Sequence, residues 1–491
     1  MNLTKTDFKE YLFCKESLWL KKKRPEDYTA GEFSLFLEKL IGDGYEVEEY
    51  VHKLFPGGVA LEGNEETLLT KTKKLIEENS KPIFQATLKT DDGLFVKIDV
   101  LNFNKETEKW DIYEVKASSE IKTDIKHNHI KDITFQAIVA ERAGVAVGES
   151  YIIHINKKYR RDGGLDLREL FVFANVSEEV NAQRELVESE IENALVLLSQ
   201  DNIPMSSCGC LYKSSAQRCD SFDFFNPDVP KYSVHNIFRG QKLALLVDES
   251  IFNITDISDD FDMTDNQKKQ VDMQKSKIPL IDKDSIKETL SHLQFPLYFL
   301  DYETFGKPVP LLDGYKTNQQ VVFQLSLHVL EHDGELKHFE YLAETLENAT
   351  SGLVKALKEH IGPAGSVVVW YESFEKGRNK ELEELHPEFK DFLEDVNNRV
   401  FDLMKVFKKD YLHPDFNGSA SIKNVLPVLL PKLSYKALDI QNGTMALTEW
   451  ERMLAEHTGD GDREDIKKNL LEYCKLDTLA MVEIYKRLKE L

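Results

Sequence analysis

The stretch Phe299-Leu300-Asp301-Tyr302-Glu303-Thr304-Phe305-Gly306 decides the fold of the second half of the chain. An apolar run that begins near Pro296 predicts a buried strand here. Residues i and i+2 of a strand point to the same face, so Asp301 and Glu303 should project together. Two converging carboxylates suit a Mg²⁺ or Mn²⁺ ion, but the same pair could also be two solvated acids at a strand end. The rest of the chain has to decide between these interpretations.

The length and charge of the chain limit its class. A chain of 491 residues exceeds one hydrophobic core, so we expect two or three domains. The net charge of -23 argues against a broad basic surface for nucleic acid. It does not exclude a narrow groove in which metal ions and a few lysines neutralise the phosphates. No apolar run reaches membrane-spanning length and the N-terminus is charged, so we expect a cytoplasmic protein with no membrane partner.

The first half of the chain predicts a small sheet that carries a polar cluster. Strands are expected at 83–88, 94–103 and 110–117, followed by a helix at 130–143. Glu114 and Lys116 share one strand face, and hairpin pairing would bring Asp99 beside them. Two acids can bind a metal ion while a lysine activates water or offsets phosphate charge. The alternative is a cross-strand ion pair, which the largely buried strand around Glu114 disfavours.

Five cysteines in a chain of this size argue against a disulfide framework. One of them, Cys14, lies near the N-terminus, and Cys208, Cys210 and Cys219 follow a helix predicted at 184–198. Four thiolates suit a [4Fe–4S] cluster or Zn²⁺, and the alternative is a set of separate buried thiols. We expect the fifth, Cys474, to be buried.

Asp99 and Glu114-Val115-Lys116, with Phe135-Gln136 on the next helix, resemble the PD-(D/E)XK nucleases of the RecB-like branch. The resemblance implies that Asp99 and Glu114 bind Mg²⁺ or Mn²⁺ and that Lys116 and Gln136 are catalytic. It also implies a further ligand on an early helix, which is either Glu48 or His52.

The cysteine pattern is similar to that of the iron–sulfur RecB-like nucleases. This similarity implies that Cys14, Cys208, Cys210 and Cys219 bind a [4Fe–4S] cluster and staple the two ends of the domain together. The short spacing of Cys208 and Cys210 departs from the family pattern and leaves Zn²⁺ as the alternative.

In the second half, the order of predicted elements resembles the ribonuclease H-like fold. Strands are expected at 296–304, 321–331 and 337–342, then a helix at 353–361 and a strand at 366–371. Tyr473 and Asp477 are spaced i, i+4 and share a helix face. Together with the strand acids, they resemble the DEDDy group of DnaQ-like exonucleases. The resemblance implies that Asp301, Glu303 and Asp477 bind the metal and that Tyr473 orients the attacking water.

One further acid is expected between the strand acids and the C-terminal helix. Glu375 is the candidate ligand, although the DnaQ-like group usually has Asp there. Asp402 is the alternative.

These inferences predict an α/β (α+β) protein with two domains and a connector. Residues 1–225 should form a PD-(D/E)XK, restriction-endonuclease-like domain, 226–290 a connector, and 291–491 a ribonuclease H-like domain. The arrangement resembles bacterial proteins that fuse an iron–sulfur RecB-like nuclease to a DnaQ-like domain.

The resemblances imply a Mg²⁺- or Mn²⁺-dependent nuclease with two centres, acting in DNA repair or defence. The second domain would be a 3′→5′ exonuclease. Aromatic residues near its acids, Tyr302, Phe305, Trp370 and Tyr371, favour single-stranded DNA stacked on rings. An RNA exonuclease, or a nucleic-acid-binding protein with one inactive centre, are the alternatives.

Overall fold

The computed structural model of the chain describes residues 2–28, 35–79, 81–205 and 207–491, which form an α/β fold as predicted. The packing divides the chain into two compact units. Unit 1 comprises Met1–Pro230, Arg239–Val247 and Lys307–Asn318. Unit 2 comprises Lys231–Phe238, Asp248–Gly306 and Gln319–Leu491. The segment 226–290, predicted as a connector, is divided between the two units.

The N-terminal part of unit 1 contains seven strands and eight helices among the described residues. These are β1 (Leu3–Thr4), α1 (Lys5–Phe13), α2 (Lys15–Lys23), α3 (Leu35–His52), β2 (Val59–Ala60), α4 (Glu65–Glu78), β3 (Ile83–Lys89), β4 (Leu94–Asn104), β5 (Lys109–Lys116), α5 (His129–Arg142), β6 (Val147–Ile155), α6 (Leu167–Leu170), β7 (Phe171–Asn175), α7 (Ser177–Ser199) and α8 (Phe222–Phe225). Next in the chain, α9 (Val234–Ile237) belongs to unit 2 and α10 (Gly240–Asp248) to unit 1 up to Val247.

The sheet of unit 1 has the strand order β2-β3-β4-β5-β6-β7, and β1 adds to β4. Strands β3, β4 and β5 form an antiparallel meander, which confirms the three predicted strands. Helix α5 then connects β5 to the parallel strand β6, as a parallel pair requires. Phe8 of α1 stacks on Phe135 of α5 in the core at 5.0 Å between ring centroids.

The N-terminal segment folds as two helices, α1 and α2, with Cys14 between them. Cys14 has an extended backbone (φ -157°, ψ 105°) and separates α1 from α2. Its N–H still donates to Glu10 O at 2.8 Å, and its carbonyl accepts from Leu18, so Cys14 forms a backbone hydrogen bond with each of the two helices. The break places the Cys14 side chain at a corner between two helices.

Unit 2 contains most of the remaining elements. These are α11 (Asp265–Ser276), β8 (Leu280–Ile281), α12 (Lys283–Ser291), β9 (Leu297–Gly306), β10 (Gln320–Leu330), β11 (Leu336–Leu342), α13 (Ala349–His360), β12 (Ser366–Val369), α14 (Glu372–Leu385), α15 (Lys390–Asn398), β13 (Val400–Asp402), α16 (Met404–Lys409), β14 (Tyr411–Leu412), α17 (Ile422–Leu429), α18 (Gly443–Leu454) and α19 (Asp460–Lys489).

The main sheet of unit 2 has the order β11-β10-β9-β12-β13. Strands β9, β10 and β11 are antiparallel, whereas β12 and β13 run parallel to β9. The predicted succession of three strands, a helix and a fourth strand is confirmed.

The 30-residue helix α19 packs on β9 and β10 and is fixed there by buried hydrogen bonds. The Thr478 hydroxyl lies 2.7 Å from Ser326 Oγ and 2.8 Å from His328 Nδ1. The Gln324 side chain donates to the carbonyl of Leu470 at 2.8 Å. Among the described residues, no helix is both long and apolar enough to cross a membrane.

Candidate metal centres

Among the described residues, two separate sets of side chains converge, and each is close enough to hold a metal ion. In each set, one ligand atom per residue lies within 4.8 Å of the others. One set is in unit 1 and consists of four thiols, Cys14, Cys208, Cys210 and Cys219. The other is in unit 2 and consists of three carboxylates, Asp301, Glu303 and Asp477.

Local geometry and helix docking build the carboxylate set. Asp301 and Glu303 project from one face of β9, as the strand period predicts. The β9–β10 pairing shifts register between Val322 and Gln324, directly beside Glu303. Such bulges re-aim strand side chains and are common next to functional sites. Helix α19 supplies Asp477 from the sheet face on which it packs.

The electrostatics of this centre favour a bound cation. Burial and then the Asp477 charge raise the pKa of Asp301 well above its usual range. The same two causes raise the pKa of Glu303 to about 8, and burial raises that of Asp477 to about 6. Lys423 opposes the last two shifts but does not cancel them. Ionising all three carboxylates would therefore create more negative charge than their surroundings balance, which a divalent ion would correct.

A cavity of about 290 Å³ lies over this centre. Tyr473 lines it, and so do Trp370 and Tyr371, whose ring is half exposed. Two other aromatic residues expected near the acids, Phe305 and Tyr302, have different surroundings. Phe305 packs on Trp450, with ring centroids 5.4 Å apart. Tyr302 reaches the lining, but its hydroxyl donates to Asn379 at 2.9 Å in the core.

Glu375 and Asp402, the two candidates for the remaining acid, have different surroundings. Glu375 lines the cavity, and burial raises its pKa to about 8. Its Oε2 is buried and, among the described residues, has no hydrogen-bond partner. Asp402 accepts the N–H of Met404 at 3.0 Å, so one of its oxygens is bound to the backbone two residues away. Glu375 is the candidate that can turn an oxygen toward the centre.

Three residues of this centre were not singled out as site residues from the sequence. The Tyr435 hydroxyl donates to Asp477 Oδ1 at 2.6 Å. Cys474, predicted only to be buried, donates its thiol to Asp301 Oδ2 at 3.7 Å. The third is Lys423, which lines the cavity. Tyr435 lies 42 residues before Asp477 in a short 3₁₀ turn, so no local spacing indicates the contact.

In unit 1 the structure brings Asp99, Glu114, Lys116 and Gln136 together. The Asp99 carboxylate accepts the N–H of Val115 at 2.8 Å, where the β4–β5 ladder ends. Lys116 Nζ lies 2.5 Å from Glu114 Oε1, and Gln136 donates to Glu114 Oε2 at 2.6 Å. The predicted polar cluster therefore surrounds Glu114, which is almost fully buried.

Asp132, one turn before Gln136 on α5, was missed from the sequence. Its carboxylate accepts from Lys116 at 2.8 Å and from Gln136 at 3.2 Å. The i, i+4 spacing of Asp132 and Gln136 was the available signal. Asp132 orients both side chains toward Glu114.

A gap in the β3–β4 pairing, at Gln85 and the opposite Asp99, lies beside the two candidates on α3. Pairing with β4 skips Gln85, whose φ of +54° is unusual for a residue other than glycine. The Gln85 amide donates to Glu48 and lies 3.4 Å from Asp99 Oδ1. His52 instead contacts Glu48 at 3.3 Å and stacks on the Phe84 ring. Glu48 is therefore the residue next to Asp99, and His52 lies behind it.

Lys5 of α1 also enters this cluster and was not anticipated. Its Nζ lies 3.0 Å from both carboxylate oxygens of Glu114 and 3.5 Å from Asp99 Oδ1. Burial raises the pKa of Glu114, but Lys116 and Lys5 outweigh burial and hold it well below its usual range. Burial and the Glu114 charge raise the pKa of Asp99 to about 7. In this centre, unlike the one in unit 2, two lysine ammonium groups contact the Glu114 carboxylate.

The four thiols join the corner at Cys14 to the segment 208–219. The Sγ atoms of Cys208 and Cys219 are 3.9 Å apart, and the Asn226 amide donates to Cys208 Sγ at 3.4 Å. A hydrogen bond from Cys14 lowers the pKa of Cys208 to about 7. All four thiols are buried and free, so the set could bind a metal.

Neighbouring contacts hold the two sides of the cysteine set together. Lys213 donates to the Phe13 carbonyl at 2.8 Å, and the Trp19 indole donates to the Gln200 carbonyl at 2.9 Å. The Ser17 and Ser221 hydroxyls are 3.1 Å apart.

The chain is similar to a described family and to a curated relative. A family model described as a domain of unknown function, DUF2779, matches residues 298–421, which include Asp301, Glu303, Glu375 and Asp402. A relative from Ureaplasma parvum serovar 3, described as "Uncharacterized protein UU173", is 24% identical over 214 residues. This match covers 39% of the present chain and 31% of the relative, so the chain spans less than one third of that protein.

Proposed function

We propose that the chain is a Mg²⁺- or Mn²⁺-dependent nuclease whose unit 2 removes nucleotides from the 3′ end of single-stranded DNA. One observation carries the proposal: Asp301, Glu303 and Asp477 bring three carboxylate oxygens within 4.8 Å of one another, beside a cavity lined by Tyr473. The strand order β11-β10-β9-β12-β13 supports a ribonuclease H-like arrangement of the DnaQ type.

The residues of the unit 2 centre have separate proposed roles in metal binding and in orienting water. Asp301, Glu303 and Asp477 would hold the ions, and Glu375 is the acid that could complete the set. When bound, such ions activate a water molecule and stabilise the leaving oxygen of a phosphodiester. Tyr473, one helical turn before Asp477, lines the cavity and would orient the water by its hydroxyl.

The cavity also supports a single-stranded substrate. The half-exposed Tyr371 ring and Trp370 border it, and such rings stack on bases of any sequence. With a net charge of -23, broad contact with a duplex backbone is disfavoured. A strand end that enters a narrow cavity agrees with both properties. Degradation of such ends belongs to DNA repair or defence.

Unit 1 supports a second phosphodiesterase centre of the RecB-like type. Asp99 and Glu114 would be its metal ligands, with Glu48 as the additional acid. Lys116 would offset phosphate charge, and Gln136 holds Glu114 in place. The four cysteines would bind [4Fe–4S] or Zn²⁺; visible absorption of the purified protein, with iron and zinc analysis, distinguishes the two.

The test is digestion of a 5′-labelled single-stranded DNA by wild type, Asp301→Asn, Lys116→Met and the exposed control Asp333→Asn, with and without EDTA. We expect a ladder that shortens from the 3′ end, is abolished by EDTA and by Asp301→Asn, and persists in Asp333→Asn. A substrate with a blocked 3′ end should resist unit 2. Activity that survives in the double variant Asp301→Asn with Lys116→Met would refute both centres.

A matched RNA strand and a binding assay complete the experiment. Faster digestion of RNA than of DNA would make the chain an RNA exonuclease. Binding of DNA without metal-dependent cleavage would replace the nuclease with a nucleic-acid-binding protein.

A further inference from the structure

The ammonium group of Lys5 lies between the two carboxylates that would bind an ion in unit 1. It is within 3.0 Å of both Glu114 oxygens and 3.5 Å from Asp99 Oδ1. The remaining side of Glu114 is taken by Lys116 at 2.5 Å and by Gln136 at 2.6 Å. Every oxygen of Glu114 therefore already has a cationic or amide donor.

The backbone of Lys5 is fixed from both sides. Leu3 pairs with Leu94 of β4, and Thr4 and Asp7 form a capping box at the start of α1. Phe8 stacks on Phe135 one turn later. Only the side chain of Lys5 can move without disturbing this packing, and a quarter of its surface is exposed. The ammonium can therefore leave the carboxylates by rotation of its flexible stem.

The centre in unit 2 has the opposite charge balance. Its three converging carboxylates share the cavity lining with a single lysine, Lys423, among the described residues. Among the described residues, no lysine or arginine forms an ion pair with Asp301, Glu303 or Asp477. An ion that enters unit 2 meets unbalanced acids, whereas an ion that enters unit 1 has to replace an ammonium group.

We propose that Lys5 is a built-in cation that competes with the divalent ion for Asp99 and Glu114. The inference rests on the proposed metal dependence of this centre but not on cleavage. The centre in unit 1 should consequently bind Mn²⁺ more weakly than the centre in unit 2. Lys5 would determine the ion concentration at which the first centre fills.

The test is Mn²⁺ binding to the full chain, measured by electron paramagnetic resonance and calorimetry. Asp301→Asn with Asp477→Asn removes the binding of unit 2, and Lys5→Met is then added to this background. We expect Lys5→Met to raise the Mn²⁺ affinity of the remaining site about tenfold or more. Lys5→Arg keeps the charge and should keep the weak affinity.

Lys9→Met is the matched control, because it removes an equal charge from the same helix. The Lys9 ammonium lies 4.0 Å from Asp132, not between Asp99 and Glu114. If Lys5→Met and Lys9→Met change Mn²⁺ affinity equally, or if Lys5→Met weakens binding, the competition does not exist. Circular dichroism of each variant separates loss of the site from loss of the fold.

The proposed nuclease activity and the proposed competition between Lys5 and the ion can be refuted separately. A protein that cuts no nucleic acid, while Lys5→Met still binds Mn²⁺ more tightly, supports the competition and refutes the nuclease. If the protein cuts DNA and Lys5→Met leaves the Mn²⁺ affinity unchanged, the nuclease is supported and the competition is refuted.

Discussion

The two carboxylate oxygens of Asp477 have different surroundings, which suggests how this residue is prepared for an ion. Oδ1 accepts the Tyr435 hydroxyl at 2.6 Å. Oδ2 is buried and has no hydrogen-bond partner among the described residues. A buried carboxylate oxygen without a partner costs free energy unless a cation or donor reaches it. Tyr435 thus positions Asp477 by one oxygen and leaves the other for a ligand.

Tyr435→Phe should weaken ion binding in unit 2. The hydroxyl lowers the pKa of Asp477, so its loss should raise that pKa above about 6. We expect about tenfold weaker Mn²⁺ binding, and an acidic limit of binding that moves to higher pH. Calorimetry at several pH values measures both. An unchanged pH dependence would assign Tyr435 to packing alone.

Tyr473→Phe should separate catalysis from binding. Its hydroxyl would orient the water and has only a small effect on Asp477, whose pKa it lowers less than Tyr435 does. Mn²⁺ affinity should therefore change less than about threefold while 3′ digestion falls at least about a hundredfold. Parallel titration and digestion of the same preparation measure the two effects. Equal losses of affinity and rate would make Tyr473 a structural residue.

Glu303 should make the metal-free protein less stable as the pH rises. Burial and Asp477 raise the folded-state pKa of Glu303 to about 8, from an ordinary value of 4.5. The folded state therefore binds this proton more tightly, and the resulting stability, full below about pH 4.5, is lost as the pH rises through about 8.

Glu303→Gln should abolish much of this decline. Between about pH 6 and pH 9 the wild type should lose on the order of 2 kcal/mol more than the variant. Urea unfolding in EDTA measures the difference, with the exposed Glu335→Gln as control. Parallel pH profiles for wild type and Glu303→Gln would contradict the raised pKa.

Helix α19 completes the unit 2 centre because its docking sets the height of Asp477 above β9. Thr478, next to Asp477, contacts Ser326 and His328 of β10 through one buried hydroxyl. The Gln324 bond to the Leu470 carbonyl adds a second attachment two turns earlier. Strand and helix are thereby held in register at the point where their acids meet.

Thr478→Val should loosen this docking. The variant keeps the side-chain shape but removes the Thr478 hydroxyl from His328 and leaves Ser326 with His338 alone, which should cost about 1–3 kcal/mol of unfolding free energy. Mn²⁺ affinity in unit 2 should fall as well. Urea unfolding and Mn²⁺ titration measure the two effects, with the exposed Lys468→Ala as control. Wild-type affinity in a destabilised Thr478→Val would show that the bond does not position Asp477.

Each unit has its own core and its own converging ligand set. The thiols of unit 1 connect residues that are about two hundred positions apart, from Cys14 to Cys219. A metal bound to such a set stabilises the fold that assembles it. The carboxylates of unit 2 span β9 and α19 within a separate core that includes Leu300 and Val322.

Cys208→Ser should therefore destabilise unit 1 selectively. We expect a lower melting temperature and rapid proteolysis within residues 1–230, because the metal loses one of four ligands. Mn²⁺ affinity in unit 2 should stay within about twofold of wild type. Thermal unfolding, limited proteolysis and titration measure these outcomes. Simultaneous loss of the Asp301 centre would show that the two units fold as one.

The amino-acid sequence by itself determined the pairs of residues that lie on one element. Asp301 and Glu303 follow from the strand period, and Tyr473 and Asp477 from the helical turn, because backbone geometry fixes side-chain direction locally. The order of strands and helices in each half follows from the same periodicities.

Only the tertiary structure decided which distant elements meet. Lys5 lies 109 residues before Glu114, and no spacing predicts that α1 carries its ammonium to β5. The choice of Glu375 over Asp402 depends on which side chain reaches the cavity, and the contact of Tyr435 with Asp477 depends on where a short turn packs. The physical reason is that contacts between distant elements depend on how whole hydrophobic faces pack together. Many sequences can bury their hydrophobic faces, and they do so in different arrangements.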